Sequence, residues 1–230
     1  MRLFFLLFAA FVPGIASFFY YRFNQDGAVA IQIYTFTKIT FLFWPLVALF
    51  FLKELPNFSS IVDRSKLLTH LRAIPLGVVG GLAISALLFF LISPWGFLHD
   101  TLQNSRPLIA RKIRQLGLED NFIWVAIFIS FAHSAFEEYY WRFFVYQQSQ
   151  SFISNQKSHL FAAFAFTIHH TVVLTAFFDW KMNLFLSLCV GTGGWLWSQL
   201  YAYQKSLMGA WVSHIIVDLA LMWIGWQCLQ

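Results

Sequence analysis

About seven long stretches of the sequence are almost entirely apolar, and shorter polar segments separate them. A helix needs about 18 or more such residues to cross the hydrocarbon core of a bilayer. The stretches run continuously and do not alternate with polar residues, so they predict helices and not the strands of a closed barrel. They cover residues 3–20, 33–52, 74–95, 122–146, 160–178, 182–203 and 207–226. The pattern predicts a single integral membrane domain, 1–230, built as an all-α polytopic helical bundle.

Two polar connectors interrupt this pattern, at 53–71 and 98–121. In the second connector, residues 106–116 alternate basic and apolar side chains in the manner of a two-faced helix. This predicts an amphipathic helix lying on an anionic membrane surface, and a solvated connector helix fits the pattern equally well. The first apolar stretch could be a signal peptide. Because it continues through Phe18, Phe19 and Tyr20 without a polar cleavage region, we expect a retained helix.

The composition changes this picture little. Charged residues make up 11% of the chain, against roughly 25% in soluble globular domains. The formal net charge of +5 fits loops that face anionic lipid headgroups. Since no basic run has interleaved aromatic residues, nothing in the sequence indicates a nucleic-acid partner, and the lipid bilayer is the expected one. The pattern does not indicate an oligomeric state.

Three of the predicted spanning helices contain ionisable side chains. Such side chains are costly in hydrocarbon and are therefore candidates for function. They are His133, Glu137, Glu138 and Arg142 in the fourth stretch, His169 and His170 in the fifth, and His214 and Asp218 in the last.

The spacing of these residues predicts how they meet. Three pairs are four residues apart and therefore share helix faces: Glu138 with Arg142, His133 with Glu137, and His214 with Asp218. We expect the three helices to present these faces to one buried centre. Consecutive helical residues diverge by about 100°, so one of His169 and His170 should point away from that centre.

A centre of this kind suits hydrolysis. A buried carboxylate can take a proton from water, and an imidazole can share that role or bind a metal. Two adjacent carboxylates do not both stay ionised in a low dielectric without help. Because Arg142 supplies that help to Glu138, we expect Glu137 to be the base and Glu138 the positioning residue. The reverse assignment is the alternative. The same side chains could instead form structural ion pairs or line a proton-relay or transport path.

Three short motifs coincide with these residues. Residues 137–142 read EExxxR, Phe166 to His170 read FxxxH, and His214 to Asp218 read HxxxD. In this combination the chain resembles the CPBP family, which comprises type II CAAX prenyl proteases and bacteriocin-processing or self-immunity (Abi) proteins. The FxxxH motif selects His170 over His169. The resemblance covers residues 122–230, which is the expected catalytic core.

The resemblance implies an all-helical intramembrane protease of a bacterial cell membrane that cuts a peptide or membrane-protein substrate. It implies that Glu137 and His170 activate water, while His214 and Asp218 polarise the scissile carbonyl. It also implies one of two chemistries. Either a metal ion is bound, with zinc expected and Glu137, His170 and His214 as ligands, or the glutamate acts without a metal.

Position 218 departs from the pattern of the prenyl proteases, which usually have Asn there. An ionised Asp cannot donate a hydrogen bond to an oxyanion. Asp218 is therefore protonated, or it acts as an acceptor, as the residue that orients His214, or as a metal ligand. The Asp argues more against a prenylated substrate than against the family. The alternative to an enzyme is a non-catalytic membrane scaffold or self-immunity protein that keeps the motif geometry.

Overall fold

The computed structural model describes residues 1–23, 27–54 and 64–230, with side chains outside 21–31, 34 and 55–66. Across these residues the chain forms eight helices and no strand. They are α1 (Arg2–Phe23), α2 (Gly27–Leu52), α3 (Arg64–Ile92), α4 (His99–Gln115), α5 (Phe122–Ser149), α6 (Asn155–Leu174), α7 (Trp180–Gln204) and α8 (Leu207–Leu229). The predicted all-α bundle is confirmed.

Four of the helices are long and apolar enough to cross a membrane: α1, α2, α3 and α8. The other three predicted spans are α5, α6 and α7, which have the necessary length but carry more polar residues. Seven crossings therefore remain a prediction. Helix α3 begins at Arg64, so the end of the predicted 53–71 connector is helical. Residues 55–63 of that connector lie outside the described residues.

Helix α5 lies at the centre of the bundle and contacts α1, α2, α6, α7 and α8. It is not a regular α-helix. Phe128–His133 and Tyr139–Tyr146 are π-helical, and the α-helical segment Ser134–Glu138 lies between them. Such π segments leave backbone groups without their usual α-helical partner and are frequent at functional sites. Here the indole N–H of Trp211 on α8 donates to the carbonyl of Phe131 (3.0 Å), which fixes the first π segment against α8.

Glycines bring α3 and α8 close together. A Cβ added to Gly77 would overlap the carbonyl oxygen of Gly209, and one added to Gly81 would lie 2.9 Å from the carbonyl oxygen of Ser213. Gly77 and Gly81 are four residues apart, as are Gly209 and Ser213, which is the small-residue spacing that lets membrane helices pack backbone to backbone. This contact sets the position of α8, and α8 carries His214.

The outer surface of the bundle is apolar. Large exposed side chains include Phe4, Phe43, Phe50, Val79 and Leu87, and such a surface is expected where lipid replaces water. Exposed Trp95, Trp124, Trp180 and Tyr203 lie at or near helix ends, where aromatic rings favour the membrane interface. The protein is accordingly an integral membrane protein.

The predicted amphipathic stretch 106–116 forms most of α4, which starts earlier, at His99. Buried Ala110 lies on the side that packs against α8 and α3, while Arg111 and Arg114 are exposed. Arg106 donates a hydrogen bond to the carbonyl of Gln227 in α8. The two-faced character of the helix is thus observed, and its contact with anionic lipid remains a prediction.

Candidate functional site

The centre of the site is Glu137, whose residue surface is 2% exposed. Imidazoles from three helices surround its carboxylate. His133 Nε2 lies 3.5 Å and His169 Nε2 4.0 Å from Oε1, and His214 Nε2 lies 3.7 Å from Oε2. Oε1 is buried and accepts no hydrogen bond from the residues that the structure describes. A buried carboxylate oxygen without a partner is costly, so this geometry leaves a position for a water molecule or an ion.

Glu138 lies in a different setting from its neighbour. Its Oε1 accepts a hydrogen bond from His214 Nδ1 (2.8 Å) and lies 3.1 Å from Arg142 Nη1. The i,i+4 pair predicted between Glu138 and Arg142 is therefore present, and both residues are 1% exposed. Oε2 of Glu138, like Oε1 of Glu137, accepts no hydrogen bond from the described residues. The neighbouring carboxylates differ in that Glu138 Oε1 contacts a cation and an imidazole, whereas the imidazoles around Glu137 lie 3.5 Å or more from its oxygens.

Aromatic rings pack against Arg142 and His214 in the site. The guanidinium carbon of Arg142 lies 4.8 Å from the ring centroid of Phe166 and 5.3 Å from that of Trp197, and Arg142 Nη2 donates to the carbonyl of Gly194 (3.2 Å). The ring of His214 stacks on Trp197 at 4.0 Å and 18°. A Cβ on Gly194 would lie 2.9 Å from Phe166 Cδ1, so glycine is what allows α7 to approach this closely.

The two adjacent histidines of α6 both face the site. His170 Nδ1 donates to the carbonyl of Phe166 (2.9 Å), because a carbonyl can only accept, and this leaves the Nε2 lone pair free. His169 Nδ1 contacts Ser17 Oγ (2.8 Å) and the Pro13 carbonyl (3.3 Å), both on α1. The expectation that one of these histidines points away is wrong, because α1 holds His169 against α5.

Glu137, His169 and His170 could hold a metal ion, since one ligand atom from each lies within 4.8 Å of the other two. The donor set suits the metal: zinc binds imidazole nitrogen and carboxylate oxygen, and a ligating histidine usually donates its other ring N–H to a carbonyl. The buried Glu137 Oε1 without a hydrogen bond fits the same role. The ligands expected from the sequence were Glu137, His170 and His214, so His169 takes the place of His214 in this group. His214 instead has Nδ1 on Glu138 and Nε2 between two carboxylates.

Asp218 lies at the edge of this cluster. Its Oδ1 is 3.6 Å from His214 Nε2, and its side chain is 14% exposed. This distance places Asp218 beside His214 but is longer than a hydrogen bond. Asp218 does not belong to the candidate metal group found among the described residues.

Residues 119–220 match a family model described as Rce1-like, type II CAAX prenyl endopeptidase Rce1-like. Over this segment the chain is similar to the Rce1-like family. The match contains all three motifs and confirms the family that they predicted. No curated protein and no solved structure matches the chain. The Rce1-like family is a protease family, so the match supports the role of a membrane protease in general.

The Rce1-like segment contains every residue that the sequence predicted for the site: Glu137, Glu138, Arg142, His170, His214 and Asp218. Their atoms lie together, as the contacts above describe. Two further participants come from outside it. Ser17 on α1 contacts His169, and Lys38 on α2 places Nζ 3.0 Å from His133 Nδ1.

Sequence reasoning missed Lys38, although a signal was present. Lys38 lies inside the apolar stretch 33–52, and an ionisable residue there meets the same criterion that selected the other site residues. A lysine near a helix end can extend to the membrane surface, which makes it easy to dismiss. In the structure, its Nζ turns inward to the site instead.

Proposed function

We propose that the protein is an intramembrane endopeptidase that hydrolyses a peptide bond of a membrane-associated or peptide substrate, in a multi-pass bacterial membrane protein. The observation that carries the proposal is the contrast between Glu137 and Glu138. Glu137 is buried among imidazoles with an oxygen that accepts no hydrogen bond from the described residues, while Glu138 is held by Arg142 and His214. A carboxylate that is buried and not bonded is suited to take a proton from water.

In the proposed reaction, Glu137 takes one proton from a water molecule, and the water oxygen attacks the carbonyl carbon of the scissile bond. The carbonyl oxygen becomes an oxyanion. As the carbon–nitrogen bond breaks, Glu137 returns the proton to the leaving amine, so that no net proton is consumed. His170 supports the water because its Nδ1–H is committed to the Phe166 carbonyl and its Nε2 is free to accept.

His214 is the proposed donor to the oxyanion. Its Nδ1–H is committed to Glu138, and its Nε2 lies 3.6 Å from Asp218 and 3.7 Å from Glu137. A lone pair at Nε2 would be repelled by these carboxylates, whereas an N–H is stabilised by them. With N–H groups on both nitrogens, His214 acts in this proposal as the imidazolium cation. In this proposal Asp218 orients the N–H of His214 and does not itself donate to the oxyanion. An ionised Asp, which cannot donate a hydrogen bond, is therefore compatible with this position.

A metal ion, with zinc the expected one, would be held by Glu137, His169 and His170. When bound, such an ion supplies a Lewis acid that polarises oxygen and lowers the pKa of water. The roles given above to His214, Glu138 and Arg142 do not depend on it, because none of these belongs to that group.

The test compares new peptide N-termini in membranes of cells that carry wild-type protein, Glu137→Gln or Glu119→Gln at matched expression. Glu119 is an exposed carboxylate paired with Arg114 and serves as the control. We expect specific termini that persist with Glu119→Gln and disappear with Glu137→Gln, because loss of a general base slows a reaction about 10²–10⁴-fold.

The scaffold alternative gives a different result. If termini are identical in all three membranes, and Glu137→Gln also restores the phenotype of cells that lack the protein, the function is non-catalytic and the proposal fails. The termini that disappear in the opposite case identify the substrate and its cleavage site.

A further inference from the structure

We infer that Lys38 is a positioning residue of the site, which acts through His133 to present an N–H group to Glu137. Neither residue belongs to the three motifs, and Lys38 lies outside the Rce1-like segment. The kinetic part of this inference rests on the proposed protease function. The structural part, which concerns the tautomer of His133, does not.

The position of Lys38 is fixed by the packing of α2 on α5. Phe41, three residues further along α2, is fully buried and packs edge-on against Tyr140 at 4.6 Å between ring centroids. It also lies 6.0 Å from the ring of His169. Positions three apart share a helix face, so the face of α2 that contains Lys38 is turned toward α5 and the site.

The contact between Lys38 and His133 has a direction. Nζ lies 3.0 Å from Nδ1 and 3.4 Å from Nε2, so the shorter contact is with Nδ1. An ammonium group has three N–H donors and no acceptor. Although both ring nitrogens lie within hydrogen-bond distance of Nζ, the shorter contact favours Nδ1 as the acceptor, which places the proton of a neutral His133 on Nε2.

The Nε2 of His133 lies 3.5 Å from Oε1 of Glu137, the oxygen that accepts no hydrogen bond from the described residues. With its proton on Nε2, His133 presents a donor to this carboxylate and has no lone pair for a metal. His133 also lies outside the candidate metal group of Glu137, His169 and His170, which is defined by distance alone. Lys38 thereby makes His133 a hydrogen-bond donor to Glu137, whereas His169 and His170 can accept.

Other charged and titratable groups also face His133, and the experiment must separate them from Lys38. They are Glu137 on its own helix, His170 on α6 and His214 on α8. None of these reaches Nδ1 at hydrogen-bond distance among the described contacts, so the tautomer of His133 reports specifically on Lys38.

The first measurement is ¹⁵N NMR of histidine-labelled protein in detergent micelles, with the His133 signals assigned by their loss in His133→Gln. We expect the Nε2–H tautomer in wild type and in Lys38→Arg, which keeps a donor. In Lys38→Met we expect a shift toward the Nδ1–H form. Lys181→Met removes an exposed lysine at the start of α7 and is the matched control. An unchanged tautomer in Lys38→Met, in protein that unfolds at the wild-type temperature, overturns the inference.

The second measurement is cleavage of a substrate identified from the lost termini. Partners that orient active-site groups typically contribute about 10–100-fold to activity, so we expect kcat of Lys38→Met to fall by that factor. KM should stay near the wild-type value, and Lys38→Arg should restore most of the loss. A rise in KM alone would mean that Lys38 binds substrate and does not position His133. If the wild-type protein cleaves no more substrate than Glu137→Gln does, the proposed protease function fails. The NMR result still decides the role of Lys38.

Discussion

Replacing Arg142 by methionine tests whether the buried ion pair with Glu138 holds the site together. Both side chains are about 1% exposed, and Nη1 of Arg142 lies 3.1 Å from Oε1 of Glu138. Removing one partner of such a pair leaves the other charge buried without compensation, which typically costs about 3–5 kcal/mol. Because Glu138 keeps its hydrogen bond from His214, we place Arg142→Met at the lower end, at about 3 kcal/mol.

The double-mutant cycle separates the pair from its surroundings. Glu138→Gln keeps an acceptor for His214 but takes the carboxylate from the guanidinium of Arg142, whose other contacts among the described residues are the Gly194 carbonyl and two aromatic rings. We therefore expect a similar loss of about 3 kcal/mol. The double variant Glu138→Gln/Arg142→Met removes both charges of the pair. It should cost no more than about 4 kcal/mol, so the coupling free energy is at least about 2 kcal/mol.

The assay is SDS-induced unfolding in mixed micelles, followed by the fluorescence of the 10 tryptophans and by circular dichroism. Arg111→Met, which removes an exposed arginine on α4, is the control and should change the free energy of unfolding by less than about 0.5 kcal/mol. If the losses of the two single variants simply add in the double variant, the pair contributes no joint stability. The distinction drawn here between the two glutamates would then be unfounded.

Two further predictions concern packing and metal binding. Gly77→Ala should lower the free energy of unfolding by about 1–3 kcal/mol, because the added Cβ overlaps the backbone of Gly209. Gly193→Ala, whose Cβ meets nothing within 4 Å, should leave stability equal or higher in the same SDS titration, and equal losses would refute the packing argument. For the metal, elemental analysis of purified protein should show zinc that decreases in His169→Ala and His170→Ala and persists in His214→Ala. Zinc that persists in His169→Ala and decreases in His170→Ala and His214→Ala would instead restore the ligand set expected from the motifs.

Most of the site followed from local rules. The apolar stretches predicted the helices because hydrocarbon requires every backbone polar group to be satisfied within its own segment. The i,i+4 spacing predicted the pair of Glu138 and Arg142 and the proximity of His214 and Asp218, since these contacts are made within single helices. The three motifs predicted the family, which the Rce1-like match confirmed.

The parts that failed depend on distances along the chain that no spacing rule covers. Ser17 is 152 residues from His169, and Lys38 is 95 residues from His133. The angle of about 100° between consecutive helical residues predicted that one of His169 and His170 points away from the site. Both lie near Glu137, because α1 packs against α6 and its Ser17 and Pro13 contact the Nδ1 atom of His169. The π segments of α5 were also unforeseen, since the sequence rules assume 3.6 residues per turn throughout.

The sequence by itself therefore determined the helices, the family and the residues that can do acid–base chemistry, because these depend on composition and on neighbours along one helix. Only the tertiary structure decided that Oε1 of Glu137 is left without a hydrogen bond from the described residues, which histidines turn toward it, and that a lysine from α2 reaches the same centre. The physical reason is that the energy of a buried charge is set by all the groups within a few ångströms of it. Here those groups come from α1, α2, α5, α6 and α8, whose arrangement is fixed by packing and not by spacing in the chain.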